Sequence, residues 1–330
     1  MRTLKFDSFV LPFSIGLLIL TVIVIFRFSV WINKLPKSDK AKLLQGIFSR
    51  KIFSALKEIF LESLLHRKIF KINPVLGYMH TSLAFGWFLL IVIGNLESRL
   101  HNATDFNPPY FPIFFRFFVH EHVAVPFHGF FPFIMDFLLL IVLSGVVLAL
   151  IKRVYSGLFG MKRKSKLKVW DKVALTALWF IFPMRLMAES FTAGVYKTGG
   201  FMTGTLGNRF SEFLPVAELA YISWWAYSLT LGAFFVFLPF SRYMHIPTEV
   251  LLIFLRKAGI KTGREHSSYS DIEVYSCPKC GICLDKCQIS FVTGIKQIQS
   301  VYFLQSVRNK CINNDDMYNC LLCGRCTERS

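Results

Sequence analysis

Five long apolar runs divide the chain, at about Phe9–Trp31, Val75–Gly94, Phe131–Ile151, Val173–Met187 and Val216–Phe240. A helix that crosses a bilayer needs about 20 mostly apolar residues, so each run predicts a span. The fourth is the shortest. Pro12, Pro183 and Pro239 fall in or near the ends of these spans, where a lost backbone donor is tolerated. Arg2 and Lys5 precede the first run, as in a secretory signal. That run is too long for a signal core and no A-x-A site follows it, so it predicts a retained span.

Between the spans the pattern changes to helical spacing with basic residues interleaved. "AKLLQGIFSRKIFSALKEIFLESLL" (Ala41–Leu65) predicts a helix lying on the membrane face. "PTEVLLIFLRKAG" (Pro247–Gly259) predicts a second one, with proline at its start and glycine at its stop. "GIKQIQSVYFLQSVRNK" (Gly294–Lys310) has Ile298, Val301, Tyr302 and Leu304 near helical spacing and predicts a helix in the C-terminal region. There is no internal repeat and no low-complexity segment.

Charge now gives the spans a direction. The loop after the first span carries Lys34, Lys37, Lys40, Lys42, Arg50, Lys51, Lys57, Arg67, Lys68 and Lys71. The loop after the third carries Lys152, Arg153, Lys162, Arg163, Lys164, Lys166 and Lys168. The loops after spans two and four hold few bases: Arg99 and Arg116, then Lys197 and Arg209. By the positive-inside bias the basic loops and the C-terminal region are cytoplasmic and the N-terminus is outside. Arg2 and Lys5 oppose this weakly. The formal charge of +18 on 330 residues, 54% of them hydrophobic, is then mostly an orientation signal, and nucleic-acid binding is not needed to explain it. The expected fold is an all-α membrane protein, a five-helix bundle with N-out, C-in topology. Its expected organisation is a transmembrane domain over residues 1–246, a juxtamembrane helix and linker over 247–270, and a small cytoplasmic domain over 271–330. The expected location is the cytoplasmic (inner) membrane.

All eight cysteines lie after position 276. Clustered at CxxC spacing, they point to metal binding in a reducing compartment rather than to a disulfide framework. "CPKCGICLDKCQ" places Cys277, Cys280, Cys283 and Cys287 in the C-x2-C-x2-C-x3-C run of a 4Fe-4S motif. Gln288 stands where a proline usually follows. A zinc knuckle is the alternative for paired CxxC units, but zinc sites rarely need third and fourth thiols at this spacing. "CLLCGRC" supplies Cys320, Cys323 and Cys326. In a two-cluster fold the fourth cysteine of a run ligates the other cluster. Cluster B would then take Cys287, Cys320, Cys323 and Cys326. Cluster A would take Cys277, Cys280 and Cys283 and lack a fourth thiolate, since position 330 is serine. Three completions remain: Cys311 swings in, Ser330 ligates or the cluster is a 3Fe-4S form, or the protein continues beyond Ser330. The last is the leading expectation.

His80, in "NPVLGYMHTSLAFGWF", lies about one turn into span two from the cytoplasmic side. His245, in "LPFSRYMHIPTEV", lies just past span five on the same side. An ionisable residue within a span is a functional hypothesis by default. Two imidazoles on different helices at matching depth would ligate a haem iron from both faces. The alternative is a hydrogen bond from His80 to a neighbouring helix and an interfacial role for His245. His120, His122 and His128 ("VHEHVAVPFHGFF") read first as exposed imidazoles of an aromatic-rich interfacial segment; the H-x-H pair holding a metal or an outer haem is the alternative. Asp136, Arg185, Glu189 and Glu218 fall near outer span ends. Arg185 and Glu189, one turn apart, are expected to pair; carrying protons outward is the alternative.

"GYMHTSLAFGWFLL" and "FLPFSRYMHIPTE" resemble the haem-bearing segments of the respiratory nitrate reductase gamma-type cytochrome b family, to which the heterodisulfide reductase membrane subunit is similar. The cysteine region resembles the dicluster ferredoxin part of the heterodisulfide reductase iron–sulfur subunit. The resemblance covers most of the chain. It implies five spans, an outside N-terminus and b haems between spans two and five, one of them held by His80 and His245. The family's second haem needs a further histidine on each of those spans, and Leu90 and Tyr227 stand near those places here, which implies a single haem b. The catalytic cysteine-rich repeats of heterodisulfide reductase-like proteins do not follow the ferredoxin region, so this chain alone is not expected to reduce disulfides. The expected function is electron transfer between a quinone, menaquinone first, and a cytoplasmic redox protein or catalytic subunit, through a haem and two iron–sulfur clusters. Two alternatives stand beside it: a haem-free anchored ferredoxin module that docks a partner, and the N-terminal half of a heterodisulfide reductase-like oxidoreductase.

Overall fold

In the computed structural model, residues 6–102, 107–120, 129–159, 166–260, 269–277, 299–309 and 311 are described. Among them every regular element is helical and there is no strand. Five helices are long and apolar enough to cross a membrane: Ser8–Asn33, Pro74–His101, Phe130–Val154, Val169–Tyr196 and Val216–Phe240. They define a multi-pass membrane protein. In chain order the α-helices are α1 (Leu11–Asn33), α2 (Lys37–Ile47), α3 (Lys51–Glu58), α4 (Arg67–Ile72), α5 (Pro74–Asn102), α6 (Phe115–Phe118), α7 (Phe130–Val154), α8 (Val169–Tyr196), α9 (Thr203–Ser211), α10 (Val216–Phe237), α11 (His245–Lys257), α12 (Tyr269–Ser276) and α13 (Ser300–Arg308).

Local chemistry explains the boundaries. Asp7 accepts the Phe9 N–H and starts a 3₁₀ turn that leads into α1. Asn73 accepts the Leu76 N–H at 3.0 Å, and Pro74 fills the first helical position, where a missing N–H costs nothing. Gly259, with φ of +87°, ends the run of α11. The helix expected over Ala41–Leu65 is divided in the structure. α2 stops at Ile47, α3 restarts at Lys51, and a π turn runs Ile59–Leu64. Span four is longer than its apolar run predicts, and Pro183 lies inside α8 rather than at its end.

The chain forms two units. The first comprises 1–21, 64–150 and 173–237. Its core is aromatic: Phe9, Phe114 and Trp224 are buried, with Phe9 edge-on to Phe114 at 5.1 Å. Two close backbone approaches tighten it. A Cβ on Gly16 of α1 would lie 2.6 Å from the Gly232 carbonyl of α10, and one on Gly194 of α8 would lie 2.6 Å from the Gly207 carbonyl of α9. Small residues at such crossings let membrane helices approach when no hydrophobic driving force draws them together.

The second unit comprises 22–63, 151–172 and 238–330. Its core joins Trp31, Leu35 and Leu43 to Leu251, Leu255, Ala258 and Ile272. Glu58 at the end of α3 pairs with Arg256 at 2.9 Å and Lys257 at 2.7 Å, at the last turn of α11. The two basic residues also suit the negative end of that helix. Phe48 and Phe53 remain largely exposed, beside Arg50 and Lys51, as expected of helices on a membrane face.

Candidate functional site

The second unit holds His245, the first residue of α11. Its Nδ1 lies 2.7 Å from the Arg242 carbonyl. A carbonyl only accepts, so Nδ1 carries the proton and donates. In a neutral ring this makes Nε2 the basic nitrogen, the arrangement a ligating histidine adopts. The other side of the same loop is held by Asp171, which is 2% exposed. Its Oδ1 accepts the Arg242 N–H at 2.6 Å. One residue thus receives a carboxylate on its amide and an imidazole on its carbonyl. Next to it, burial pushes the Tyr243 phenol above its ordinary value, against the pull of the Arg242 guanidinium.

The same unit holds the first cysteine. Cys277 follows the end of α12. Arg308, the last residue of α13, donates to the Val274 carbonyl from Nε (3.0 Å) and Nη2 (2.6 Å). Its Nη2 also reaches the Cys277 carbonyl at 2.9 Å. The guanidinium stacks over Tyr275 at 5.1 Å, and burial lowers its pKa. Arg308 therefore fixes the backbone where the cysteine run begins and places a positive charge beside it. Cys311 is exposed. Cys280, Cys283, Cys287, Cys320, Cys323, Cys326 and Ser330 lie outside the described residues. Among the described residues, no set of three or more His, Cys, Asp and Glu stands together as a metal-holding group.

The first unit holds His80, one turn and a half into α5. The His66 ring stacks on it, centroids 5.3 Å apart and planes inclined by 27°. His66 has φ of +50°, an uncommon backbone conformation for a residue with a Cβ. Thr81 Oγ1 donates to the Leu65 carbonyl at 2.7 Å and holds this bend against α5. His66 was not legible as a site residue, because its sequence position lies 14 residues from its partner. His120 stacks on Tyr196 at 3.6 Å. His122 and His128 lie outside the described residues.

The charged residues near the other ends of the spans are also placed. Arg185 Nε donates to Glu189 Oε1 at 2.9 Å, and both side chains are buried, so the expected pair is present. Arg185 also interacts with the Tyr227 hydroxyl. Leu90 and Tyr227 are each 2% exposed. Asp136 serves the backbone: Oδ2 accepts the N–H of Met202 (2.7 Å) and of Thr203 (2.9 Å) at the start of α9, where the helix dipole favours a carboxylate. Glu218 is exposed at the start of α10. A second pair was not anticipated: Arg116 donates to Glu97 Oε1 at 2.8 Å. A glutamate and an arginine just beyond the second apolar run, on either side of one short loop, are the signal that would have found it.

A helical membrane protein with partly buried histidines and buried ion pairs is the class these observations define. The chain is similar to the E-type subunit of the dihydromethanophenazine:CoB–CoM heterodisulfide reductase of Methanosarcina acetivorans, 23% identical over 208 residues, 62% of this chain and 67% of the relative. It is similar also to the protein of the same name from Methanosarcina mazei, 23% identical over 206 residues, 62% of this chain and 68% of the relative. No family model matches the chain, and no solved structure matches it.

Proposed function

We propose that this chain carries electrons across the boundary between a lipid-soluble two-electron carrier in the membrane and a redox protein or catalytic subunit in the cytoplasm. The observation that carries the reading is the distant similarity to the E-type heterodisulfide reductase subunits in a chain with five spanning-length helices. The relatives' name contains a reduced phenazine, so the carrier belongs to the quinone or phenazine class. Two residue sets support the internal path. A b haem held by His80 and His245 is supported by their partial burial, by the His66 ring stacked on His80 and by the carbonyl partner that leaves Nε2 of His245 basic. Cys277, Cys280, Cys283 and Cys287, with Cys320, Cys323 and Cys326, have the spacing of a dicluster ferredoxin. Such groups supply one-electron steps, while the chain sets their spacing, burial and hydrogen bonds. The proposed orientation puts the N-terminus outside and the cysteines inside.

The test is a reduced-minus-oxidised spectrum of protein purified without air, with iron and haem counted per chain. A b-type band that disappears in both His80→Ala and His245→Ala, together with iron in excess of haem, is the expected result. Iron without haem in the wild-type protein would replace this reading with that of an anchored ferredoxin module. Neither iron nor haem would reject both.

A further inference from the structure

Two helices of the second unit carry more apolar surface than their packing uses. On the α11 side, Leu43 and Gly46 of α2 and Ile52 and Ala55 of α3 line one crevice with Phe254 and Ala258. The fit is close, since a Cβ on Gly46 would lie 2.9 Å from the Ala258 Cβ. A helix turns about 100° per residue. Leu44 and Ile47 therefore stand beside the packed face of α2, one and four positions after Leu43. Phe53 and Leu56 stand beside the packed face of α3 at the same offsets from Ile52. Phe48 follows the end of α2, and Phe60 lies in the π turn after α3. These six side chains belong to residues that are each at least 40% exposed. Each helix thus has one apolar face covered by α11 and a second, adjoining one that no described residue covers.

The charge along this second face has one sign. From position 37 to 60 the sequence holds six bases and two acids. Both acids are engaged: Asp39 with Lys42 at 2.9 Å, and Glu58 with Arg256 and Lys257 of α11. Lys37, Arg50, Lys51 and Lys57 are exposed. Arg50 comes three residues before Phe53 and Lys57 four after it, so both edge the same stripe. An apolar patch rimmed by bases marks a surface for a partner or a membrane. The depth of α2 decides between them. Leu43 shares a buried core with Trp31, in the last turn of α1, so α2 lies beside the end of a spanning helix. Tryptophans at such ends mark the boundary between bilayer and water, where lipid is the neighbour at all times.

We propose that the second face of α2 and α3 binds anionic phospholipids selectively, with Leu44, Phe48 and Phe53 among the acyl chains and Lys37, Arg50, Lys51 and Lys57 on the headgroup phosphates. This goes beyond a resting place at the membrane surface, because a face of this charge distinguishes lipids that share the same acyl chains. It does not depend on the proposed function. Lysine and arginine stems lie along apolar surface while their charged heads reach the polar layer. Apolar burial and attraction to anionic headgroups add at such a face, and each base near an anionic surface weights binding by about fivefold.

The test uses the full chain in nanodiscs of phosphatidylcholine, alone or with about a quarter of phosphatidylglycerol carrying the same acyl chains. Amide hydrogen exchange over residues 38–60 should slow by about tenfold when phosphatidylglycerol is present. Native mass spectrometry should show phosphatidylglycerol retained in preference to phosphatidylcholine. The combined variant Arg50→Gln, Lys51→Gln and Lys57→Gln should lose most of both effects. Arg209→Gln, in an exposed pair on α9, should keep both. The lipid comparison on the wild-type chain needs no variant, so a folding defect cannot hide the answer. Equal exchange and equal retention in the two lipids would overturn the selectivity. Exchange that stays fast in both lipids would give the face to a protein partner instead. Protection by inorganic phosphate alone would assign the bases to a free anion, and it too would overturn the proposal.

Discussion

At the scale of single residues, the peptide of Arg242 is the most informative point in the second unit. It takes the Asp171 carboxylate on its N–H and the His245 imidazole on its carbonyl. Asp171 is not among the proposed ligands, and the part given to it is positioning. Asp171→Ala removes a hydrogen bond to a charged group, worth about 1.5–3 kcal/mol, and frees the loop that orients the His245 ring. The expected outcome is a b-type spectrum with shifted or broadened low-spin signals in electron paramagnetic resonance, and Asp171→Asn should recover much of it. A normal signal at normal haem content in Asp171→Ala would refute the positioning role. Arg308 makes the same kind of point at the cysteine run. Its guanidinium ties the Val274 and Cys277 carbonyls, so Arg308→Ala should lower iron content per chain while leaving haem content unchanged. None of this was visible in the sequence. His80 and His245 could be picked out because an imidazole within or beside an apolar run is anomalous. Asp171, His66 and Arg308 look ordinary until the loops fold back.

At the scale of elements, the spans were legible because a membrane leaves little choice: every backbone polar group must be satisfied within the helix, and the side chains must be apolar. For the fourth span the reading fell short because of a buried polar interaction. Arg185 and Glu189 interrupt the apolar run of the fourth span, and the window closes at Met187. They satisfy each other, so α8 continues to Tyr196. The break between α2 and α3 escaped notice for the opposite reason. Arg50 keeps helical dihedrals, so helical spacing persists across the break. Packing between spans depends on glycines that periodicity does not mark. Gly16→Ala would drive a Cβ into the Gly232 carbonyl and Cα, at 2.6 and 2.8 Å. Backbone cannot move aside as a flexible side chain would. A loss of about 1–3 kcal/mol, the usual cost of overpacking, should appear as a lower melting temperature in detergent. Gly157, where an added methyl would meet no described atom within 4 Å, should accept alanine without loss.

For the whole molecule the decisive property is sidedness, because the proposed delivery of electrons to the cytoplasm depends on which end of the bundle faces which phase. The argument is the distribution of charge. Lysines and arginines crowd the segments after spans one and three and are sparse after spans two and four. Bases near span ends resist translocation, whereas acidic residues contribute little. The cysteines make the test simple, since all eight lie in the C-terminal region on one proposed side. An impermeant maleimide should leave wild-type cells unlabelled and react with Cys311, which is exposed, only after the membrane is opened. Asn208→Cys places a thiol on an exposed position of α9, between spans four and five, and should label in intact cells. The opposite pattern would place the cysteines outside, in an oxidising compartment where clustered thiols form disulfides rather than hold iron.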